Sequence, residues 1–249
     1  MSEKKIDLIA QLLAKAESTT PEEAEALTEH AERLMVKYAI DQAVIDARRA
    51  KAGQESEKIV EVRLDFTGAY RGELVHMTHM VSSGLGSLRN MQYTGGTGKV
   101  FSAYIIGFES DVEQAKTLVM SLQVQAAVAV RAWWREHKGE YAGLNSYEQE
   151  KARRTFVYGF GTGAGSRIRE SRQQVVNEAT AARGGAGTEL VLVNRRAKVN
   201  EHMDAKKNLK NARSRNAATG GSASGQGYAA GQKANTGEKK VTQGRGISA

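Results

Sequence analysis

Apolar side chains recur at Ile6, Ile9, Leu12, Leu13 and Ala16, and again at Ala24, Leu27, Ala31, Leu34, Met35 and Tyr38. Both sets keep the three- and four-residue spacing of one helix face, so residues 5–40 predict a helical hairpin. Thr20 suits the N-cap of the second helix and Pro21 its first position, where a missing N–H costs nothing; Glu23 completes a capping box. Residues 41–52 predict a short third helix with Val44 and Ile45 facing the first two, and 53–57 a polar linker. The pattern then changes period. Val60, Val62, Leu64 and Phe66 alternate with Glu61, Arg63 and Asp65, the signature of a half-buried strand over 59–66.

A helix over 70–85 follows from Leu74, Met77, Val81 and Leu85, stopped by Gly84 and Gly86. Strands are expected at 87–93 and 100–106, joined through Thr94 to Gly98 as a hairpin. A phosphate-binding P-loop is the rival reading of that glycine-rich turn. It would require Gly where Tyr93 stands and Ser or Thr where Val100 stands. Ser110 and Glu113 predict a capping box opening a long helix through Val112, Ala115, Leu118, Val119, Leu122, Ala126 and Val130 toward Trp133. Ser146 and Gln149 predict the cap of the next.

That next helix carries Gly159, Gly161, Gly163 and Gly165 in its middle. Each glycine weakens a helix by about 1 kcal/mol relative to alanine. Because Phe156, Phe160 and Ile168 keep helical periodicity through the region, the glycines are read as a site of close backbone packing. Residues 189–193, ELVLV, suggest an edge strand or a short buried segment, and 195–215 a mostly polar helix. Residues 217–227 have the Gly, Ser and Ala composition of a flexible segment, while 227–234 could form a helical turn on contact with a partner.

Charge sharpens this outline. The 249 residues carry a net charge of +8, yet residues 195–249 hold 12 Lys and Arg against 3 Asp and Glu, leaving 24 against 25 in the rest. The sequence is that of a neutral body with a basic tail, a composition suited to a polyanion. Its phosphate contacts would be Lys206, Lys207, Lys210, Arg213, Arg215, Lys233, Lys239, Lys240 and Arg245. No cysteine is present, which excludes disulfides and a thiol nucleophile. No apolar run approaches the roughly 20 residues of a membrane span, and the first residues lack the pattern of a signal peptide, so a soluble cytoplasmic protein is expected.

Candidate chemistry is sparse. His76 and His79 could share a helix face, but Met77 and Thr78 stand between them where a zincin motif needs four-residue spacing and a Glu; no metal site is assigned. Asp111 and Glu113 fit the favourable negative charge of a helix first turn better than general acid or base work. No nucleophile elbow accompanies the serines, and no catalytic residue or cofactor is expected. Trp133 and Trp134, beside Arg131 and Arg135, could stack on bases; lying about 100° apart on a helix, at most one is free to do so. Lys151, Arg153, Arg154, Arg167, Arg169 and Arg172 are read as a solvated face balanced by acids.

The pattern K-I-x-x-L-L-A-K-A-E-S-T-x-P-x-E-A-E-A over 5–26, completed by A-E-R-L-M-x-K-Y-x-I over 31–40, resembles the N-terminal module of the domain of unknown function numbered 2786, whose members occur in bacteria, bacteriophages and mobile elements. Similarity continues at Ile106, Gly107 and 109–115, at 158–160 and at 227–231. The resemblance implies architecture and a setting, with no activity or catalytic residues to carry over. The expected fold is α+β: a helical module over 1–52, a core over 58–194 with a small antiparallel sheet in the order strand-helix-strand-strand-helix, and a flexible basic tail over 195–249. The expected function is nucleic-acid binding, to DNA or RNA, without strong sequence preference and without catalysis. The alternative is a protein-interaction adaptor acting on a host or phage protein through the helical module.

Overall fold

The computed structural model of the chain describes residues 57–94, 100–182, 187–206 and 221–234, with scattered helical positions between 8 and 47. Three strands, β1 (Ile59–Phe66), β2 (Arg89–Thr94) and β3 (Phe101–Phe108), form an antiparallel sheet in the order β1-β3-β2. Five helices with defined ends accompany it: α1 (Arg71–Leu85), α2 (Glu109–His137), α3 (Ser146–Ala182), α4 (Gly187–Asp204) and α5 (Ser222–Gln232). The α+β architecture expected from the sequence is present, and so is its strand-helix-strand-strand-helix order. Residues 95–99, where the sequence predicts the connecting turn, lie outside the described residues.

β3 pairs on both sides, with Val62 opposite Ile105 and Asn90 opposite the same residue from the other edge. Being central, it is apolar on both faces. Phe101, Ala103 and Ile105 join the main core with α1 and α2, whereas Ile106 and Phe108 face Val199 and Met203 of α4. β1 keeps one exposed face, which is why its residues alternate. α1 ends at Gly86, whose φ of +79° is the left-handed conformation that a side chain resists; its N–H closes onto the Ser82 carbonyl at 3.1 Å.

Two helix starts differ from expectation. α2 begins at Glu109, so Ser110 lies inside the first turn, and its backbone N–H donates to Glu57 Oε1 at 2.5 Å. Capping of α2 is therefore supplied by a carboxylate from before β1, which no local motif could reveal. For α3 the box sits one residue earlier than the Ser146 and Gln149 assignment. Glu148 N–H donates to Asn145 Oδ1 at 3.0 Å and Asn145 N–H to Glu148 Oε2 at 3.2 Å.

The glycines of α3 do mark close packing, and they do so on two faces. Two residues advance a helix by about 200°, so alternate glycines point in opposite directions. A Cβ built on Gly159 or Gly163 would collide with the Ser224 and Tyr228 carbonyls of α5, and one on Gly161 or Gly165 would lie 2.9 or 2.7 Å from the Cβ of Met77 or Met80 in α1. The fit with α5 is reciprocal: Gly227 sits against the Phe156 carbonyl and Gly231 against that of Phe160. These pairs advance together along both chains, so α3 and α5 run parallel, as do α3 and α1.

Two expectations for the C-terminal third are corrected. Residues 189–193 belong to α4, not to a strand, because Leu192, Arg195, Val199 and Met203 fall on one buried helical face, and that periodicity overrides the strand preference of the valines. Residues 222–232 are helix α5 docked on α3: the helical turn expected over 227–234 agrees with it, while the flexible segment expected over 217–227 is corrected from residue 222 on. Their small side chains offer little hydrophobic area, but they let the backbones approach closely enough for packing to hold the segment. The boundary expected at 194/195 thus falls inside α4. In the N-terminal stretch, helical positions on both sides of residue 20 and the Lys15–Glu23 ion pair at 3.4 Å agree with a hairpin, and Ala31, Leu12 and Leu34 join the main core. Thr20 and Pro21 lie outside the described residues.

Candidate functional site

Of the basic residues expected to contact phosphates, the structure describes Lys206 and Lys233. Lys206 follows α4 and pairs with Glu61 of β1 at 2.5 Å, while Lys233 is exposed at the C-terminus of α5 on α3. Lys207, Lys210, Arg213, Arg215, Lys239, Lys240 and Arg245 lie outside the described residues.

The strongest electrostatic feature sits elsewhere, where α4 crosses the start of α2. Arg195 is 4% exposed; its Nε donates to Asp111 Oδ2 at 2.9 Å and its Nη2 to Glu57 Oε2 at 2.6 Å and Ser110 Oγ at 3.1 Å. The guanidinium also lies over the Phe108 ring at 3.8 Å. Burial works against its charge, but Asp111 and Glu57 outweigh burial and hold Arg195 above its ordinary value. Burial pushes the Asp111 carboxyl up, opposed by Arg195 and by a hydrogen bond from Ser87. Arg195 remains the fixed charge, and Asp111 is the partner through which acid would break the pair. This cluster is a lock between α4 and the core, with its donors spent inside the protein. Neither Glu57, read as linker, nor Arg195, read as tail, is assigned this role from sequence. The available signal is Arg195 falling in register with Leu192, Val199 and Met203, since a charge on an apolar helix face needs a buried partner.

Beside the lock lies a different arginine. The Arg172 guanidinium of α3 covers Gly86, with Nη1 2.7 Å from the point a Cβ would occupy. Burial lowers its pKa first, Asp111 raises it and Arg196 lowers it further. The solvated-face reading of this run is corrected for Arg167 as well, while Arg154, part-exposed and balanced by an acid, agrees with it. Arg167 is 7% exposed and donates to the Gln232 carbonyl at 2.6 Å, capping α5; Arg154 pairs with Glu73 at 2.9 Å.

The histidine pair is resolved by its neighbours. His76 stacks on Tyr158 at 3.8 Å, and its Nε2 lies 3.0 Å from Thr162 Oγ1. The Thr162 hydroxyl donates to the Tyr158 carbonyl at 3.1 Å, so it accepts from His76 Nε2–H and fixes the neutral tautomer. Burial, aided by the charge of His79, lowers the His76 pKa to about 4. Among the described residues no group of three His, Asp or Glu is placed to hold a metal. Trp133 is buried, stacked on Phe156 at 4.8 Å with its N–H on Gln226 Oε1 at 2.7 Å. Trp134 carries Arg153 at 4.7 Å from its ring, which occupies a face that a base would need. No described helix is long and apolar enough to cross a membrane.

Residues 4–42 match the family described as Protein of unknown function (DUF2786), in agreement with the resemblance of residues 5–40. No curated protein and no solved structure matches the chain.

Proposed function

We infer that the protein is a nucleic-acid-binding accessory factor that contacts phosphates without reading bases, in the cytoplasm of a host cell in a phage or mobile-element setting. The observation carrying this reading is the charge asymmetry: 12 basic against 3 acidic residues over 195–249, beside a body that is close to neutral. Arg195 and Lys206 are engaged internally, and the other ten still exceed the three acids. Binding of this kind draws its free energy from counterion release and falls steeply with salt. Deleting 195–249 would truncate α4 and remove α5 from the core, so the test is charge neutralisation in the full chain. Glutamine at Lys207, Lys210, Arg213, Arg215, Lys239, Lys240 and Arg245 should weaken binding to duplex and single-stranded DNA and RNA. It should also reduce the slope of log K against log salt by about 0.7–0.9 for each phosphate no longer neutralised. Absence of binding by the unaltered protein at low salt would defeat the reading.

A further inference from the structure

We propose that the outer face of α2 is a self-association surface, on which a second copy of this chain lays its own α2 antiparallel to form a two-fold dimer. The inner face of α2 packs on the core through Ala115, Leu122, Ala126 and Val130. On the opposite side Met120, Val124 and Val128 stand four residues apart and are 58%, 57% and 61% exposed. A helix with one face in a core ordinarily turns polar residues to water on the other. Apolar side chains exposed singly need no explanation, but this is the longest such row on one helix face among the described residues.

The rest of that face selects the occupant. At 100° per residue, Glu113, Thr117, Arg131 and Arg135 project within about 20° of Val124, so acid stands at one end of the apolar row and base at the other. The row is self-complementary. With a two-fold axis at Val124, an antiparallel copy sets Val124 on Val124, Met120 on Val128, Thr117 on Arg131 and Glu113 on Arg135. The Thr117 hydroxyl donates to the Glu113 carbonyl at 2.9 Å, so its oxygen is open to a donor from Arg131. Glu113 has Lys116 at 3.5 Å in an exposed pair, and Arg135 of the copy would place a second cation on the same carboxylate. A parallel copy would instead oppose Arg131 to Arg131 and Arg135 to Arg135, like charges that repel. From Glu113 to Arg135 the row is about 33 Å long and about 10 Å wide, roughly 330 Å² on each copy. That is below the roughly 800 Å² per partner of a standard stable complex, so the dimer is reversible and concentration-dependent. It stands whether or not the tail binds nucleic acid.

The experiment uses the full chain. Sedimentation velocity from about 1 µM to about 1 mM, the range of weak affinities, should show monomer giving way to dimer. Val124→Glu, an exposed substitution checked for folding by circular dichroism, should raise the dimer Kd by about tenfold or more, because it buries two facing carboxylates. Glu113→Arg should raise it by about tenfold, and Glu113→Arg with Arg135→Glu should restore it. The chain has no cysteine, so disulfide trapping reads the geometry without background. Val124→Cys should cross-link to its own copy, and Met120→Cys should cross-link to Val128→Cys when the two are mixed. Met120→Cys alone, about 12 Å from its copy along the axis, should not. A monomer across the whole range would overturn the dimer. In that case protection of Val124→Cys from a thiol reagent would give the face to another segment of the same chain, and free reaction would leave it to a different protein. A dimer unchanged by Val124→Glu, or one in which Met120→Cys links to itself and not to Val128→Cys, would equally overturn the antiparallel pairing.

Discussion

Gly225 and Gly227 stand two residues apart on α5 and should answer alanine with opposite signs. A Cβ at Gly225 meets nothing within 4 Å, so Gly225→Ala brings only the helix-propensity gain of about 0.5–1 kcal/mol. A Cβ at Gly227 falls on the Phe156 carbonyl oxygen, with that carbonyl carbon at 2.9 Å and Phe156 Cα at 3.0 Å. These are backbone atoms of another helix, so no rotamer change relieves the overlap. The helices must part by about 1 Å, enough to forfeit about a quarter to a half of the dispersion attraction between them. Parting also stretches the Trp133 to Gln226 and Arg167 to Gln232 hydrogen bonds, at 2.7 and 2.6 Å. Overpacking of this kind costs about 1–3 kcal/mol, and each hydrogen bond adds about 1. Against a propensity gain of about 1 kcal/mol, Gly227→Ala should destabilise by about 2–4 kcal/mol. Urea unfolding followed by tryptophan fluorescence would read both variants, Trp133 lying beside α5. If Gly227→Ala were neutral or stabilising like Gly225→Ala, close backbone approach would not be what holds α5.

Three further outcomes follow from buried polar groups. His76 has its pKa lowered to about 4 from 6.5, so it adds stability that is complete above pH 6.5 and is lost as pH falls through that window, because the unfolded chain binds the proton first. Between pH 7 and 4.5 the wild type should lose about 2 kcal/mol more than His76→Phe, which keeps a ring on Tyr158; parallel pH profiles in urea titrations would contradict this. Arg195→Met strands Asp111 and Glu57 and should cost about 3–5 kcal/mol by thermal or urea unfolding, with Asp111→Leu added to it recovering much of the loss. Asn145→Ala should destabilise by about 1 kcal/mol and Ser146→Ala by less, reversing the ranking that the sequence pattern suggests.

What the amino-acid order determined alone was whatever depends on neighbours along the chain. The alternation over 59–66 placed β1 at its observed bounds, and three- and four-residue spacing placed α1, α2 and α3, because one buried face imposes its period on local sequence. Glycines two apart inside a helical pattern announced close packing, though not that they served two partners. Tertiary structure decided what reaches across the chain. Glu57 caps a helix 53 residues on, and Arg195 meets Asp111 across 84. α5 is ordered by backbone contact with α3, so a composition that reads as flexible becomes helix once α3 offers a glycine face. The same division applies to charge: net charge and its position are readable residue by residue, whereas the pairing of Arg195 with Asp111 and Glu57 exists only when α4 packs on the core. Burial converts a charge from a solvated face into a lock when the fold brings its partners within reach, and no local pattern encodes those distances.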